Sequence, residues 1–581
     1  MKYTSLLLVF LLLSLSVFSQ IKTVGPYYPA CDYGEIQTAI SIGNATEIRV
    51  VDGTYTENLS FNGSLIIKGG YATCADAASG NQGTSQATID GSNQDFPVIS
   101  MITNNSRSTI TLENLILTNG NAVTVSGGGI LLSNMDAKIT LENINIDGNN
   151  TGLLGGGIAI KSNTEVNTDL HLINTLVTNN TSIKGGGIYC SVVNGGASIT
   201  LSDNSGISRN TSRISGSQSS GRGGGLYLEA CNFTLYSGTA QIPSDVGVSS
   251  NIAEREGGGI YATFGAYVSL YGHANCSGGT CIGDDDINPV NLTGNSATNG
   301  GALYLSGPSA YAEIFAGLVN DNHSTTNGGA ISVMDAGILD VRRVTNDCWH
   351  KSRCNYFSGN TANGNGGAIY NESPNVSVSN TYFEDNRANI GTAIYSIGAN
   401  TLTKIDTSVF NHNGSNGTDY ADIYVMRAHL GAKFDIIQTT IADNHATTAV
   451  LGVSNTANTG LKIYSSIVHD ASTGPFTDST NLGSLIANCV LAHNLTSVGT
   501  TGAGVFIADP LFIDRNNRDY HINPLSPAID KCTSPNIPFS EKDIDFTTRG
   551  WDNPGIMNDF GSYDIGADEV IIIEIFKNGF E

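Results

Sequence analysis

A glycine cluster followed by an aliphatic residue recurs along most of this chain, and that recurrence limits the folds open to it more than any other feature. It reads GGGI ending at Ile130, Ile158, Ile188 and Ile260, GGGL ending at Leu226, and GGAL or GGAI ending at Leu303, Ile331 and Ile369. It decays to GTAI at Ile394 and ADI at Ile423. Successive anchors lie 28, 30, 38, 34, 43, 28, 38, 25 and 29 residues apart. A second element precedes each cluster, an aliphatic residue followed by two or three polar ones and then Asn, at Asn149, Asn180, Asn210, Asn251, Asn295, Asn360 and Asn386. Between them lie short alternating segments such as ITL at 110–112, 139–141 and 199–201. Fixed-period self-similarity of this length is the mark of a repeat architecture, and no 3.6-residue periodicity interrupts it. Three short strands per turn suit an all-β solenoid, a single-stranded right-handed parallel β-helix whose coils stack at about 4.8 Å and bury one face inward. A propeller blade needs four strands and about 40–45 residues, more than most of these repeats hold. About fifteen coils, about 70 Å in length, are expected. The recurrent Asn is expected to stack into a hydrogen-bonded ladder at one corner, since Asn tolerates the left-handed conformation.

Ten cysteines add a test. The distance from anchor to following Asn is unusually long in two repeats, Ile260 to Asn295 and Ile331 to Asn360, and those two hold the close pairs Cys276/Cys281 and Cys348/Cys354. An insertion pinched by its own disulfide explains both facts. Cys190/Cys231 could bridge neighbouring coils, and order alone suggests Cys31/Cys74 and Cys489/Cys532. Zinc sites want C-x₂₋₄-C spacing with histidines nearby, and neither close pair supplies both.

Compartment and partners follow from the ends and the charge. Residues 1–19 carry Lys2, an apolar stretch from Leu6 to Val17, and small residues at Val17 and Ser19, the pattern of a cleaved signal peptide. The apolar run is shorter than the roughly 20 residues a membrane span needs, so no transmembrane segment is expected after cleavage, and export permits disulfides. The chain has 27 Lys plus Arg against 51 Asp plus Glu, a net charge of −24. That excludes nucleic acid as a natural partner, because phosphate binding needs clustered cations. Residues 20–100 are expected to form an N-terminal cap and first coils, with Ile36, Ala39 and Ile40 on one helical face. Residues 101–520 hold the repeats, 521–570 a C-terminal capping segment, and 571–581 a terminal tail.

The GGAI/GGGI clusters with an F/V-x-x-N partner resemble the repeat of chlamydial polymorphic outer membrane proteins, shared by a broader group of bacterial right-handed parallel β-helix proteins. The opening IQTAI, IRVVDGTYTEN and IIKGGYATC and the closing SPAID, DIDFTTR and DIGADE also look like that group's ends. The resemblance implies a surface-exposed or secreted location and says little of activity. Polymorphic outer membrane proteins end in a membrane barrel, and no run of ten-residue amphipathic strands follows residue 520 here. The chain therefore looks like a passenger without its translocator. The final IFKNGFE resembles a short ending of exported bacterial proteins, a sorting tag by that likeness.

The fold also hosts pectate lyases and polygalacturonases, so catalysis must be weighed, although fold does not argue function. Asp284, Asp285 and Asp286 form the densest acidic run and the one candidate Ca²⁺ site. Arg342, Arg343, Trp349, His350, Lys351 and Arg353 form the most basic patch, a candidate anion- or sugar-binding loop with Trp349 as its platform. Asp543, Asp545, Arg549, Asp564 and Asp568 are read as turn and salt-bridge residues that seal the last coil. No HExxH, GxSxG or P-loop motif occurs. No catalytic residue and no cofactor is therefore expected. The expected function is an exported, surface-associated or secreted, non-enzymatic protein with an adhesin-like binding or structural role, its partner a cell-surface or polysaccharide ligand. The alternative is a Ca²⁺-dependent polysaccharide lyase or glycoside hydrolase. Several acids with an Arg or Lys on neighbouring coils of one face would favour the enzyme, and a face of Ser, Thr and Asn would favour binding.

Overall fold

The computed structural model describes residues 20–26, 30–102, 106–216, 219–237, 245–272, 276–277, 280–281, 289–342, 355–398, 401–414, 426–429, 431–445, 449–453, 460–470, 474–476, 485–492, 504–534 and 539–572. The chain is a parallel β-helix. A representative coil holds four strands, Ile188–Val192, Gly195–Ser202, Gly206–Ser208 and Thr211–Ser212. The first joins a sheet of fourteen strands, the second and third a sheet of twenty-eight, and the last a sheet of eight, all counted among the described residues. Fourteen stacked strands span about 60 Å. Each coil pairs in parallel with the next at constant register, as in Ile158↔Ile188↔Leu226↔Ile260↔Leu303↔Ile331. The expected three strands become four in coils where a residue in the left-handed conformation, such as Asn174 (φ 48°) or Asp203 (φ 56°), divides the long middle strand in two. The register partner of Ile394 is Met426, and the expected anchor Ile423 lies outside the described residues.

The glycine cluster is needed at one corner. In Gly185–Gly187 the first residue has φ 62°. A Cβ on the second would stand 2.4 Å from the Gly224 carbonyl oxygen, and one on the third 3.0 Å from Asn210 Nδ2. Only a bare backbone lets adjacent coils approach this closely.

Beside the glycine corner the expected Asn ladder exists, and it is longer than the motif search showed. Asn149, Asn180, Asn210, Asn251, Asn295, Asn322, Asn360, Asn386, Asn413 and Asn444 stack in one buried column. Asn251 shows the rule. Its backbone N–H and its Nδ2 both donate to Asn295 Oδ1 at 3.0 Å, and Nδ2 also donates to the Ile207 carbonyl at 2.8 Å. The residue before each of these ten is left-handed, Asp443 (φ 56°) being the last. Asp470 ends the column, accepting from the Asn444 N–H at 2.5 Å. Its second oxygen is buried without a partner, and burial pushes its carboxyl up to about 7.

At the amino end, helix α1 (Ile36–Ile42) buries Ile36 and Ala39 against the open core, with Ile40 packed beside them. The Glu57 carboxylate accepts from the Ile36 and Gln37 N–H groups at 2.9 and 2.8 Å, where the helix dipole favours an anion. Disulfides join Cys31–Cys74, Cys190–Cys231 and Cys489–Cys532. Cys276 and Cys281 are register partners in a short antiparallel ribbon. Their side chains lie outside the described residues, as do Cys348, Cys354, the signal sequence and the IFKNGFE tail.

The C-terminal segment folds back along the flank of the last coils. Tyr520, Ile544 and Ala567 pack on Tyr382, Val409 and Ala442. Asn380 Nδ2 donates to the Asp543 carbonyl at 2.9 Å, and the Ala567 N–H to Thr440 Oγ1 at 3.0 Å. Within the segment, Asp543, Asp564 and Asp568 accept from the backbone N–H groups of Thr547, Asp530 and Ile522. The Arg549 guanidinium donates to the Gly566 and Ala567 carbonyls and pairs with Glu569 at 3.7 Å.

Two expectations follow. Asn295→Ala orphans two buried donors of Asn251 and the Val248 carbonyl. It should destabilise the protein by about 3 kcal/mol in urea unfolding, whereas Asn150→Ala at an exposed pair should cost little. For Asp470, a folded-state pKa above the unfolded value means that its stability contribution is complete below about pH 4. The contribution falls as pH rises to about 7 and is flat beyond. Asp470→Asn should therefore match the parent near pH 4 and exceed it by a few kcal/mol above pH 7, read from paired denaturation curves.

Candidate ligand-binding flank

On the outer face of the twenty-eight-strand sheet, four neighbouring coils present a grid of side chains set by period-two alternation. Strand Asn232–Tyr236 offers Asn232, Thr234 and Tyr236, and Tyr267–Tyr271 offers Tyr267, Ser269 and Tyr271. Tyr311–Phe315 offers Tyr311, Glu313 and Phe315, and the last coil offers Ile338, Asp340 and Arg342. The registers Tyr236↔Tyr271↔Phe315 and Tyr267↔Tyr311 place the rings in two columns. Strand spacing forces them to stack, with centroids 5.5, 4.9 and 5.0 Å apart. Both columns begin at an exposed ring, Tyr236 at 40% and Tyr267 at 38%, and the register neighbour that precedes Tyr267 is only Asn232. At the far end the Arg342 guanidinium lies 5.2 Å from the Phe315 ring centre.

Between the columns runs a polar row. Ser269 Oγ and Tyr271 OH donate to Glu313 Oε1 at 2.8 and 2.7 Å. Arg342 pairs with Asp340 at 3.2 Å and with Glu313 at 3.9 Å. Burial, opposed by the Arg342 charge, holds the Asp340 carboxyl above the usual range. Burial and the Glu313 hydrogen bond both raise the Tyr271 hydroxyl. A second aromatic column, Tyr189, Tyr227, Tyr261 and Tyr304 on the fourteen-strand sheet, is closed. Its rings are nearly all buried, and Lys184 and Arg222 cover Tyr227 and Tyr261 at 4.8 and 5.2 Å. It packs the molecule and offers no free face.

Of the residues singled out in the sequence, Arg342 stands in this grid. Asp284, Asp285, Asp286, Arg343, Trp349, His350, Lys351 and Arg353 lie outside the described residues. The five rings, Glu313 and Asp340 escaped the motif search. Their signal was present in YVSLY and YAEIF, where aromatics occupy the alternate positions normally left polar.

Residues 174–191 and 356–372 match the model of the Chlamydia polymorphic membrane protein (Chlamydia_PMP) repeat. These two segments are similar to that repeat. A search of curated proteins found no match. Each matched repeat runs from the strand before a ladder Asn, Asn180 or Asn360, through the glycine cluster into the following strand. The match therefore describes the two corners that build the coil and leaves the flank open. Among the described residues no helix is long and apolar enough to cross a membrane.

The polar row and its rim should respond differently to substitution. Glu313→Ala leaves the Ser269 and Tyr271 hydroxyls without their acceptor and should cost about 2 kcal/mol in denaturant unfolding. Arg342→Met keeps an aliphatic stem over Phe315 and loses only a half-exposed ion pair, so its cost should stay below about 1 kcal/mol.

Proposed function

We propose that the protein is an exported, outer-surface or secreted β-helix that binds a glycan through the aromatic flank of its long sheet and performs no chemistry on it. One observation carries this reading, the pair of stacked aromatic columns that open at Tyr236 and Tyr267 beside a row of Ser269, Glu313, Asp340 and Arg342. Exposed rings offer apolar faces to sugar C–H groups, while the partly exposed Asp340 carboxylate and Arg342 guanidinium hydrogen-bond hydroxyls and orient the sugar chain. The polymorphic membrane protein repeat supports the outer-surface location. The alternative enzymatic reading is favoured by two carboxylates and a cation on adjacent coils, the set that acid–base hydrolysis or lysis would use. Glu313 argues against it, because it is buried and already accepts two hydrogen bonds.

The deciding experiment incubates the purified protein with neutral and uronate polysaccharides, with and without Ca²⁺. Binding is read by calorimetry, and product by ultraviolet absorbance and new reducing ends. Saturable binding without product is expected, weakened about tenfold in Tyr267→Ala and in Tyr236→Ala, since one aromatic contact is worth about 1 kcal/mol or more. Calcium-dependent product would replace this reading with the lyase or hydrolase, and binding unmoved by either substitution would remove the flank from it.

A further inference from the structure

The C-terminal segment gathers three side chains from well-separated stretches. His521, Asp545 and Asp568 each offer one ligand atom, and these atoms all lie within 4.8 Å of one another. His521 Nδ1 is engaged by Asp519 Oδ1 at 2.5 Å, which turns Nε2 toward the other two carboxylates. Nε2 is shut off from solvent and forms no well-aligned hydrogen bond, although Asp545 Oδ2 stands 3.0 Å away. Asp568 is 7% exposed, and its Oδ2 accepts the Ile522 N–H at 2.8 Å. The group borders a cavity of about 300 Å³ shared with Tyr382 and Arg518.

Three carboxylates converge on a single imidazole here, the buried Asp568 and the more exposed Asp519 and Asp545, while the Arg549 guanidinium is occupied by Glu569 and two carbonyls and Arg518 by Glu384 and Asp385. The buried Asp568 carboxylate needs a counter-charge. A carboxylate on one ring nitrogen of a histidine, with the other nitrogen aimed at further carboxylates, is the arrangement that orients a metal-binding imidazole. We propose that His521 Nε2, Asp545 and Asp568 bind one divalent transition-metal ion of the Zn²⁺ or Mn²⁺ kind, with Asp519 as the orienting partner and water from the cavity completing the shell. One nitrogen with two carboxylate oxygens suits these ions and suits Ca²⁺, which takes oxygen alone, poorly. The ion would pin together residues 519–522, 543–545 and 567–569, a region in which Phe512–Asp514 with Asp519–Ile522 is the one strand pair among the described residues. This site is separate from the glycan-binding flank and does not depend on it.

The test uses the full chain stripped with a chelator and titrated with ZnCl₂, MnCl₂ and CaCl₂ by calorimetry, with retained metal counted by elemental analysis. One equivalent of Zn²⁺ or Mn²⁺ should bind and raise the melting temperature. His521→Ala and Asp568→Asn should abolish that binding, Asp519→Asn should weaken it at least about tenfold, and Asp559→Asn, on the exposed Lys531 pair, should leave it unchanged. Because an acidic protein gathers cations loosely over its surface, cobalt loading of the unsubstituted protein supplies a readout that does not rely on a variant folding. Its spectrum should report mixed nitrogen and oxygen coordination at one equivalent. No retained stoichiometric metal on natively folded protein, an all-oxygen cobalt spectrum, or binding equal in the His521 and Asp568 variants would overturn the proposal.

Discussion

Every coil of this molecule hands its backbone hydrogen bonds to the next coil, and that transfer demands that neighbouring coils turn at the same places. The corner between the third and fourth strands shows how the demand is met. A left-handed residue turns the chain, leaving a backbone N–H pointing along the stack, and the Asn that follows uses its side-chain amide to do what a further strand would have done. Each Oδ1 receives two donors from the coil before, and each Nδ2 is spent on the coil after and on a carbonyl behind. Nothing in the column is left unpaired until Asp470, where an acid replaces the amide and one oxygen finds no donor. A buried amide column is stabilising only when complete, because each missing member strands its neighbours.

The two corners confine what the strands between them must do. With glycines admitting one close approach and asparagines sealing the other, inward residues need only be apolar and of matching size, as in the Phe357, Phe383 and Phe410 column. Outward residues are free to vary from coil to coil. That freedom lets one stretch of four coils carry Tyr, Glu, Asp and Arg while the coils before it carry Thr200 and His171 in the same row. A parallel sheet turns any run of like residues into a ladder, so aromatics at matching positions must stack at the strand spacing.

The C-terminal segment obeys other rules. It has no repeat to stack, and it holds its shape with carboxylates that accept backbone N–H groups at Asp543, Asp564 and Glu569 and with the buried Arg549. Burial raises the Asp543 carboxyl to about 7, and burial together with the neighbouring Glu569 charge raises the Asp564 carboxyl. Its attachment to the coils relies on ion pairs of Arg515 with Asp443 and of Arg518 with Glu384 and Asp385, which tie its residues to coils 72 to 134 positions earlier.

The repeat alone determined the fold class, the inward face, the Asn corner and the glycine corner, since each is a local requirement renewed every 25 to 43 residues and so legible wherever the motif recurs. The ladder's last members, Asn413, Asn444 and Asp470, were missed because the glycine clusters after them have decayed, whereas Asn322, in LVNDN before an intact GGAI, carries the full motif and was overlooked. Which outward residues share a row was beyond the linear sequence, because insertions of unequal length separate Tyr236, Tyr271 and Phe315 by 35 and 44 positions although they stack within 5.5 Å. The meeting of His521, Asp545 and Asp568 was hidden for the same reason in stronger form. No period relates these three, and only the path of an irregular chain folded against the flank brings their side chains together.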